Sequence, residues 1–139
     1  MTVLVVGAAG QLGQSMAAGW PEGQTVVACA RQDLDLADHR GVRDFVRAHR
    51  PSVVVNCAAY NNVDGAETDP RSALDINALA VRTLARAAAE CHAVLVHYST
   101  DFVFAGTSPQ PLSEQDAPEP RGQYAMSKLM CSDSEVSNR

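Results

Sequence analysis

The sequence predicts an α/β fold in which helices cover both faces of a parallel sheet. Short, almost entirely apolar segments alternate with segments whose apolar residues recur at helical spacing. A strand that is buried on both faces has no polar side, so this pattern indicates a parallel sheet. Right-handed crossovers between such strands give a doubly wound arrangement. A glycine-rich turn directly after the first strand supports the same fold class.

Four strands and four helices are predicted along the chain. The strands are expected at 3–7, 25–30, 52–56 and 93–98. The helices are expected at 11–20, before Pro21; from a cap at Asp38 to residue 49, before Pro51; at 70–90; and at 124–130. The segments 61–65 and 107–121, which are rich in turn-forming residues, are predicted to be loops.

The composition excludes several classes of protein. Apolar residues make up 46% and charged residues 19% of the chain, as in ordinary globular domains. No apolar run is long enough to span a membrane, and a net charge of −5 offers no electrostatic footprint for nucleic acid. The cysteines and histidines lack metal-ligand spacing, so no metal site is expected. Since the apolar N-terminus runs into glycines instead of a cleavage site, we expect reduced cysteines and a cytoplasmic protein.

The turn Gly7-Ala8-Ala9-Gly10-Gln11-Leu12-Gly13 has the form that phosphate binding requires. The first glycine makes the tight turn, the second leaves room for phosphates, and the third lets helix and strand pack closely. The free N–H groups of the following helix would face the anion. A plain structural turn is the alternative, because turns use glycine in any case. We therefore predict a dinucleotide-binding Rossmann domain over residues 1–130 and a polar tail over 131–139.

The end of the second strand bears on the choice between NADP and NAD. An acidic residue usually binds the adenosine ribose at this point, and here the chain reads Ala28-Cys29-Ala30-Arg31-Gln32-Asp33. Arg31 could instead contact a 2′-phosphate, which would favour NADP. A solvated surface arginine is the alternative interpretation.

Tyr124 and Lys128 lie four residues apart and therefore share one face of the last predicted helix. A free phenol titrates near pH 10, and a nearby cation favours its ionised form, which suits proton transfer. This spacing alone more often marks a solvated helix face. Its context strengthens the functional interpretation, because Ser99-Thr100-Asp101 follow the fourth strand, at the sheet edge where ligands bind in such folds.

Several side chains have plainer interpretations. Ser99 is not surrounded by the glycines of a hydrolase nucleophile turn. Asp64 and Glu67 could form a carboxylate pair, but roles in the loop and in capping are favoured. His97 lies in a predicted strand and is expected to be packed or hydrogen-bonded instead of catalytic.

The chain resembles the extended short-chain dehydrogenase/reductase family and, within it, the dTDP-4-dehydrorhamnose reductases. The combination of STDFVF with NCAAYNNVD is much more specific than either the glycine turn or the Tyr-Lys spacing. The resemblance covers nearly all of residues 3–130. The matching stretches are GAAGQLGQ at 7–14, LDLAD at 34–38, RPSVVVNCAAYNNVDGAE at 50–67, DINALAVRTLARAAAE at 75–90, VLVHYSTDFVFAG at 94–106 and YAMSKL at 124–129.

The resemblance implies reduction of the 4-keto group of a nucleotide-linked 4-keto-6-deoxy sugar by NADPH or NADH. Thr100 would hydrogen-bond the substrate carbonyl, Tyr124 would donate its proton, and Lys128 would bind the nicotinamide ribose and tune Tyr124. Asn77 would support the active site, with an ordinary polar contact as the alternative. Including the glycine turn and Arg31, the residues expected around the cofactor are Gly7, Gly10, Gln11, Leu12, Gly13, Arg31, Asp35, Leu36, Ala58, Ala59, Tyr60, Asn77, Tyr124 and Lys128.

The chain also departs from the family pattern. Asn61 and Asn62 replace the usual Thr-x pair, Ala125 replaces a frequent glycine, and Met130 begins a different continuation. Family members are about twice as long, which implies that the C-terminal, substrate-binding part is missing. A non-catalytic NADP-binding regulatory subunit or an inert fragment is therefore the alternative function. Without the later strands, an exposed sheet edge and apolar face would favour a homodimer or aggregates.

Overall fold

The computed structural model describes residues 1–131 and has the predicted doubly wound α/β fold. One four-stranded sheet contains β1 (Thr2–Val6), β2 (Thr25–Cys29), β3 (Val53–Asn56) and β4 (Val94–His97). The strands lie in the order β2-β1-β3-β4, and every neighbouring pair is parallel. The chain moves outward from β1 to β2 and then returns to β3 on the other side of β1. The carboxyl ends of β1 and β3 therefore form a topological switch point, where ligands bind in open α/β sheets.

The helices alternate with these strands as the sequence predicts. Among residues 1–131, the helices lack the length and continuous apolar surface that a membrane span requires. The polar tail predicted for 131–139 lies outside the described residues except for its first residue. The helical elements are α1 (Gln11–Ala18), α2 (His39–His49), α3 (Val63–Thr68), α4 (Pro70–Leu74), a π-helical segment (Asp75–Leu79), α5 (Ala80–Glu90), a 3-10 turn (Asp101–Val103) and α6 (Gln123–Leu129).

Side-chain caps determine where several helices begin. The Asp38 carboxylate accepts a hydrogen bond from the Gly41 N–H at 3.0 Å, which confirms the predicted cap of α2. The Asn62 side chain caps α3 in the same way through Gly65, so the predicted loop at 61–65 is wrong from Val63 onward. Local sequence showed only turn-forming residues there, and one of them serves as a helix cap.

Two other predicted helices differ from the structure in detail. The first ends at Ala18 and not at Trp20, because Gly19 ends the helix and the indole packs against the sheet. The helix predicted for 70–90 contains a π-helical segment, Asp75–Leu79. Backbone hydrogen bonds in such a segment join residues five positions apart, instead of the four of an α-helix. Hydrophobic spacing did not indicate this insertion, because the apolar residues on both sides of it remain in the core.

The core lies on both faces of the sheet. On one face, α2 and α5 bury Leu4 and Val54 of the sheet together with Val42, Val46 and Leu84. On the other face α1 covers a smaller cluster, whose members are Val3, Val5 and Val55 with Met16 and Trp20 packed against them. Burial of this kind stabilises the fold by about 25 cal/mol for each Å² of apolar surface removed from water.

β4 is an edge strand of the described sheet, and its outer face is partly uncovered. Val94 is 58% exposed and Val96 is 37% exposed, whereas the alternating Leu95 packs against the larger core cluster. An uncovered apolar edge was predicted from the sequence, and the structure confirms this exposure. Association through the edge stays a prediction.

The close approach of α1 to the end of β1 depends on Gly13. A Cβ atom on Gly13 would lie 2.2 Å from the carbonyl oxygen of Gly7 and 2.7 Å from Cα of Ala8. Both neighbours are backbone atoms, so they cannot move aside as a flexible side chain would. The third glycine of the turn is therefore required for packing, as the sequence analysis proposed.

We predict that Gly13→Ala destabilises the fold by about 2 kcal/mol, even though alanine favours helix formation, because the helix must shift away from β1. Urea unfolding followed by circular dichroism measures the change. Gly19→Ala is the matched control at the other end of α1, where φ is −88° and a Cβ would meet Ser15 O at 3.1 Å. An equal effect of both substitutions would contradict the packing explanation.

Candidate active site

A cleft of about 480 Å³ opens at the carboxyl edge of the sheet, at the switch point between β1 and β3. This volume is within the range of small-molecule sites. Its walls come from the turn after β1, the segment after β2, the segment after β3 and the start of the long helix. The lining residues are Val6, Gly7, Ala9, Gly10, Arg31, Leu34, Asp35, Leu36, Ala37, Cys57, Ala58, Ala59, Tyr60, Asn61, Ser72, Asp75 and Ile76.

The glycine turn brings bare backbone to this cleft. Gly7 has a φ of +80°, and a Cβ on it would lie 2.7 Å from the Ala58 nitrogen. Gly10 is the N-terminal cap residue of α1 and has no side chain to bond the first N–H groups. The first hydrogen bond of the helix runs from Gln14 N to Gly10 O, so the N–H groups of Gln11, Leu12 and Gly13 are free to bind an anion.

The acidic residues near the end of β2 are engaged with their own backbone. The Asp33 carboxylate accepts from the Ala30 N–H at 2.8 Å, and Asp35 accepts from the Ala37 N–H at 3.0 Å. Arg31 lines the cleft, and within residues 1–131 its guanidinium forms no ion pair. The free positive charge at this end of the cleft therefore belongs to Arg31.

A buried asparagine at the end of β3 shapes the segment that follows it. Asn56 is 1% exposed, and its side-chain oxygen accepts from the Ala58 N–H at 3.1 Å. Its amide nitrogen lies 3.1 Å from Nδ1 of His97 on β4. Asn56 thus joins two neighbouring strands at their carboxyl ends and directs Ala58 toward the glycine turn.

Asn77 connects the same segment to α6. Its side chain accepts from the Tyr60 N–H at 2.8 Å and donates to the Tyr60 carbonyl at 3.1 Å. It also donates to the Ser127 hydroxyl at 2.9 Å. Because Asn77 is 1% exposed and all its contacts are internal, its role is to hold the cleft wall against α6.

The N-terminus of α6 is capped by a residue from a distant segment. The Glu67 carboxylate accepts from the Gln123 N–H at 2.7 Å, and a Cβ on Gly122 would meet the same oxygen at 2.7 Å. A negative charge at this end of a helix is favourable because the helix dipole is positive there. The capping interpretation of Glu67 is confirmed, and its effect is to position the helix that carries Tyr124.

Lys128 is buried at the carboxyl end of β4. Its residue is 3% exposed, and Nζ donates to the Tyr98 carbonyl at 2.7 Å. Burial lowers the pKa of this ammonium below its usual value. The alternative of a solvated helix face is therefore wrong for Lys128.

The other two predicted catalytic residues flank the same strand end. The Thr100 hydroxyl caps the 3-10 turn by accepting from the Phe102 N–H at 3.3 Å, and donates to Asp101 at 3.2 Å. The ring of Phe102 meets the ring of Tyr124 edge-on, with centroids 5.6 Å apart. The structure thus places Thr100, Tyr124 and Lys128 around one edge of the sheet.

The predicted cofactor residues divide into two groups. Gly7, Gly10, Arg31, Asp35, Leu36, Ala58, Ala59 and Tyr60 line the cleft. Gln11, Leu12 and Gly13 form the first turn of α1 beside it, while Asn77, Tyr124 and Lys128 lie behind the Tyr60 segment or at the end of β4. Their roles in binding a cofactor stay predictions.

Four side chains that shape the site were not indicated by the sequence. Asn56, Ser127, His39 and Asp75 each make contacts between segments distant in the chain. A signal existed for Asn56, since a polar residue directly follows three apolar strand residues. No local pattern distinguishes the others from ordinary polar residues of helices.

The fold and this arrangement define a Rossmann-type domain of the short-chain dehydrogenase/reductase class, with its ligand cleft at the switch point. More narrowly, the chain belongs to the RmlD substrate-binding domain family, whose model matches residues 1–136. It is 42% identical over 126 residues to the dTDP-4-dehydrorhamnose reductase of Streptomyces griseus, an alignment covering 90% of this chain and 41% of that protein.

Solved structures of similar proteins agree with this assignment. The dTDP-4-dehydrorhamnose reductase of Bacillus anthracis, in complex with NADP, matches with a TM-score of 0.90 and 35% identity over 94% of this chain and 47% of its own. The reductase from Clostridium acetobutylicum matches with a TM-score of 0.89 and 37% identity, covering 95% and 48%. The present chain thus spans less than half the length of these relatives.

The environment of His97 predicts how stability depends on pH. Burial, and then the charge of Lys128, lower the pKa of His97 from 6.5 to about 4. Because the unfolded chain binds this proton near pH 6.5, the contribution of neutral His97 is fully present above pH 6.5 and is lost as the pH falls toward 4.

We expect His97→Asn, which keeps an acceptor for Asn56 but cannot titrate, to flatten the fall in unfolding free energy between pH 6.5 and 4. Urea unfolding at several pH values measures the slope. His92→Asn is the control, because this histidine lies in the turn before β4 and outside the buried network. If the unfolding free energy fell equally with pH in the His97 variant and in the unaltered chain, His97 would not be the source of the pH dependence.

Proposed function

We propose that this chain is the cofactor-binding part of a reductase that uses NADPH to reduce the 4-keto group of a nucleotide-linked 4-keto-6-deoxy sugar. The observation that carries the proposal is the burial of Lys128 at the end of β4, four residues after Tyr124 on the same helix. Burying an ammonium is costly, so a side chain with only a structural role would more simply be apolar. The regulatory-subunit alternative is not favoured, because cofactor binding alone requires no such buried lysine beside a tyrosine.

The residues present fit a pyrophosphate-containing dinucleotide. Gly7 and Gly10 offer backbone without side chains at the turn, and α1 offers uncapped N–H groups. These donors recognise an anion by charge and geometry. Apolar residues farther along the cleft, among them Leu34 and Leu36, offer surface for an aromatic ring. The B. anthracis relative, whose structure is a complex with NADP, supports the same ligand class.

The reaction needs a proton donor at the substrate carbonyl. A bound nicotinamide would supply the hydride to the carbonyl carbon. Tyr124 would donate its phenolic proton to the carbonyl oxygen, and Thr100 would hold that oxygen by a hydrogen bond. Lys128 would orient the nicotinamide ribose and stabilise the phenolate that Tyr124 becomes. The similarity to dTDP-4-dehydrorhamnose reductases supports this substrate class.

Arg31 supports a preference for NADPH over NADH. It lines the cleft near the end of β2, where an acidic residue would bind the ribose of NAD. Asp33 and Asp35 are both bonded to nearby backbone N–H groups. A guanidinium at this position can bind the 2′-phosphate of NADPH through charge-assisted hydrogen bonds. NADH lacks this phosphate.

Arg31→Ala should weaken NADPH binding by roughly tenfold or more and leave NADH binding nearly unchanged. Fluorescence titration of the 139-residue chain with each dinucleotide measures this change. Arg43→Ala is the control, because it removes the same charge from an exposed position on α2 outside the cleft. Saturable binding of neither dinucleotide to the unaltered chain would contradict the proposed function.

Tyr124→Phe should abolish reduction of a dTDP-linked 4-keto-6-deoxy sugar while preserving NADPH binding, because the substitution removes only the hydroxyl that donates the proton. The test uses a chimaera that joins residues 1–130 of this chain to the C-terminal half of the C. acetobutylicum reductase, with and without the substitution, and follows the absorbance of NADPH. NADPH titration of the substituted and the unsubstituted chimaera shows whether the variant still folds. Reduction that persists in the variant would exclude Tyr124 as the proton donor.

A further inference from the structure

The helix that carries Tyr124 is too short to hold its own orientation. α6 has seven residues, fewer than two turns, and a helix of this length is marginal unless other segments pack against it. Contacts with the rest of the fold therefore decide where the Tyr124 side chain points.

The hydroxyl of Ser127 makes one of these contacts. It accepts from the Asn77 side-chain amide at 2.9 Å and donates its single hydrogen to the Tyr124 carbonyl at 2.7 Å. Because Ser127 is 2% exposed, water is not at hand to replace either bond. One oxygen atom thus ties the backbone of Tyr124 to Asn77.

Asn77 is itself fixed to the wall of the cleft. Its side chain accepts from the Tyr60 N–H and donates to the Tyr60 carbonyl, so the bond to Ser127 takes the second hydrogen of the amide. Tyr60 lines the cleft. The path from the cleft wall to the Tyr124 backbone therefore consists of two buried side chains that are fully hydrogen-bonded to one another and to their neighbours.

Two further attachments of α6 leave its rotation less constrained. The Glu67 carboxylate bonds the Gln123 N–H, which places the start of the helix but lies at its end. The Lys128 ammonium bonds the Tyr98 carbonyl through a flexible four-carbon stem. The short side chain of Ser127 allows much less movement than either of these.

We infer that Ser127 is a positioning residue for the proton donor. Its two hydrogen bonds fix the rotation of α6 about its axis, and so direct the Tyr124 hydroxyl to the carbonyl that Thr100 would hold. The inference rests on the proposed function and adds to it a residue that does not touch the substrate. A proton donor must lie within hydrogen-bond reach, and a displacement of about 1 Å can slow a reaction roughly 100-fold.

The chimaera used for Tyr124→Phe tests this role in a complete enzyme. In Ser127→Ala, kcat should fall about tenfold or more, because Asn77 loses its acceptor and α6 can rotate. KM for the sugar and the affinity for NADPH should stay nearly unchanged, because most of the proposed binding groups lie on other elements. Expressing kcat per NADPH-binding site removes the effect of unfolded molecules.

Ser127→Thr is the conservative variant. It keeps the hydroxyl, and a threonine in a helix can bond the carbonyl three residues earlier. A groove of about 300 Å³ between α4 and α6, lined in part by Ser127, has room for the added methyl group. This variant should recover most of the kcat that Ser127→Ala loses.

Thr68→Ala is the matched control. The Thr68 hydroxyl donates to the Gly65 carbonyl three residues earlier at 3.0 Å, which is the same kind of bond as that from Ser127 to Tyr124. It lies at an exposed position at the end of α3 and makes no bond to α6. This substitution should leave kcat unchanged.

The outcomes separate positioning from a merely structural role. A fall in kcat at constant KM in Ser127→Ala, recovered in Ser127→Thr, supports the inference. Unchanged kcat per NADPH-binding site in Ser127→Ala overturns it, even where thermal unfolding shows lower stability. It is also overturned if a rise in KM accounts for the lost rate, or if Thr68→Ala loses as much.

Two remaining results are also decisive. An equal fall of kcat in Ser127→Thr overturns the inference, unless this variant unfolds at a lower temperature than Ser127→Ala, in which case Ser127→Ala alone decides. Full kcat in Ser127→Ala beside an inactive Tyr124→Phe overturns only the inference. Absence of reduction by the unsubstituted chimaera overturns the proposed function as well.

Discussion

The packing of backbone against backbone at the switch point constrains everything built around it. Gly7 lies so close to Ala58 that a side chain cannot fit between the ends of β1 and β3, and a Cβ on Gly13 would lie still closer to Gly7. These contacts bring the N-terminus of α1 to the edge of the sheet. The same contacts leave bare N–H groups facing a cleft, so the requirement for close packing and the capacity to bind an anion have one structural origin.

Buried polar side chains extend this organisation to the rest of the site. Asn56 joins the ends of β3 and β4, and Asn77 joins the Tyr60 segment to Ser127 on α6. A buried amide must satisfy its hydrogen bonds, so each asparagine allows few arrangements of the segments around it. The position of Tyr124 and Lys128 relative to the cleft therefore depends on residues that do not take part in the proposed chemistry.

Charge is distributed unevenly along the cleft. Arg31 supplies positive charge near the end of β2, and Asp75 supplies a hydrogen-bond acceptor at the start of the long helix. Lys128 is buried outside the cleft lining, at the end of β4. Lysine is usually a surface residue, so the burial of Lys128 is the strongest indication of function in the folded chain.

The sequence by itself determined the order of strands and helices, the glycine turn and the pairing of Tyr124 with Lys128, because these features depend on residues close together in the chain. Hydrophobic spacing and helix periodicity report local geometry directly. Only the tertiary structure decided that Lys128 is buried, that a π-helical segment interrupts the long helix, and that α3 begins inside a predicted loop. The contacts Glu67–Gln123 and His39–Asp75 join residues 56 and 36 positions apart. No local pattern encodes such contacts, since they form only when the sheet brings distant segments to one edge.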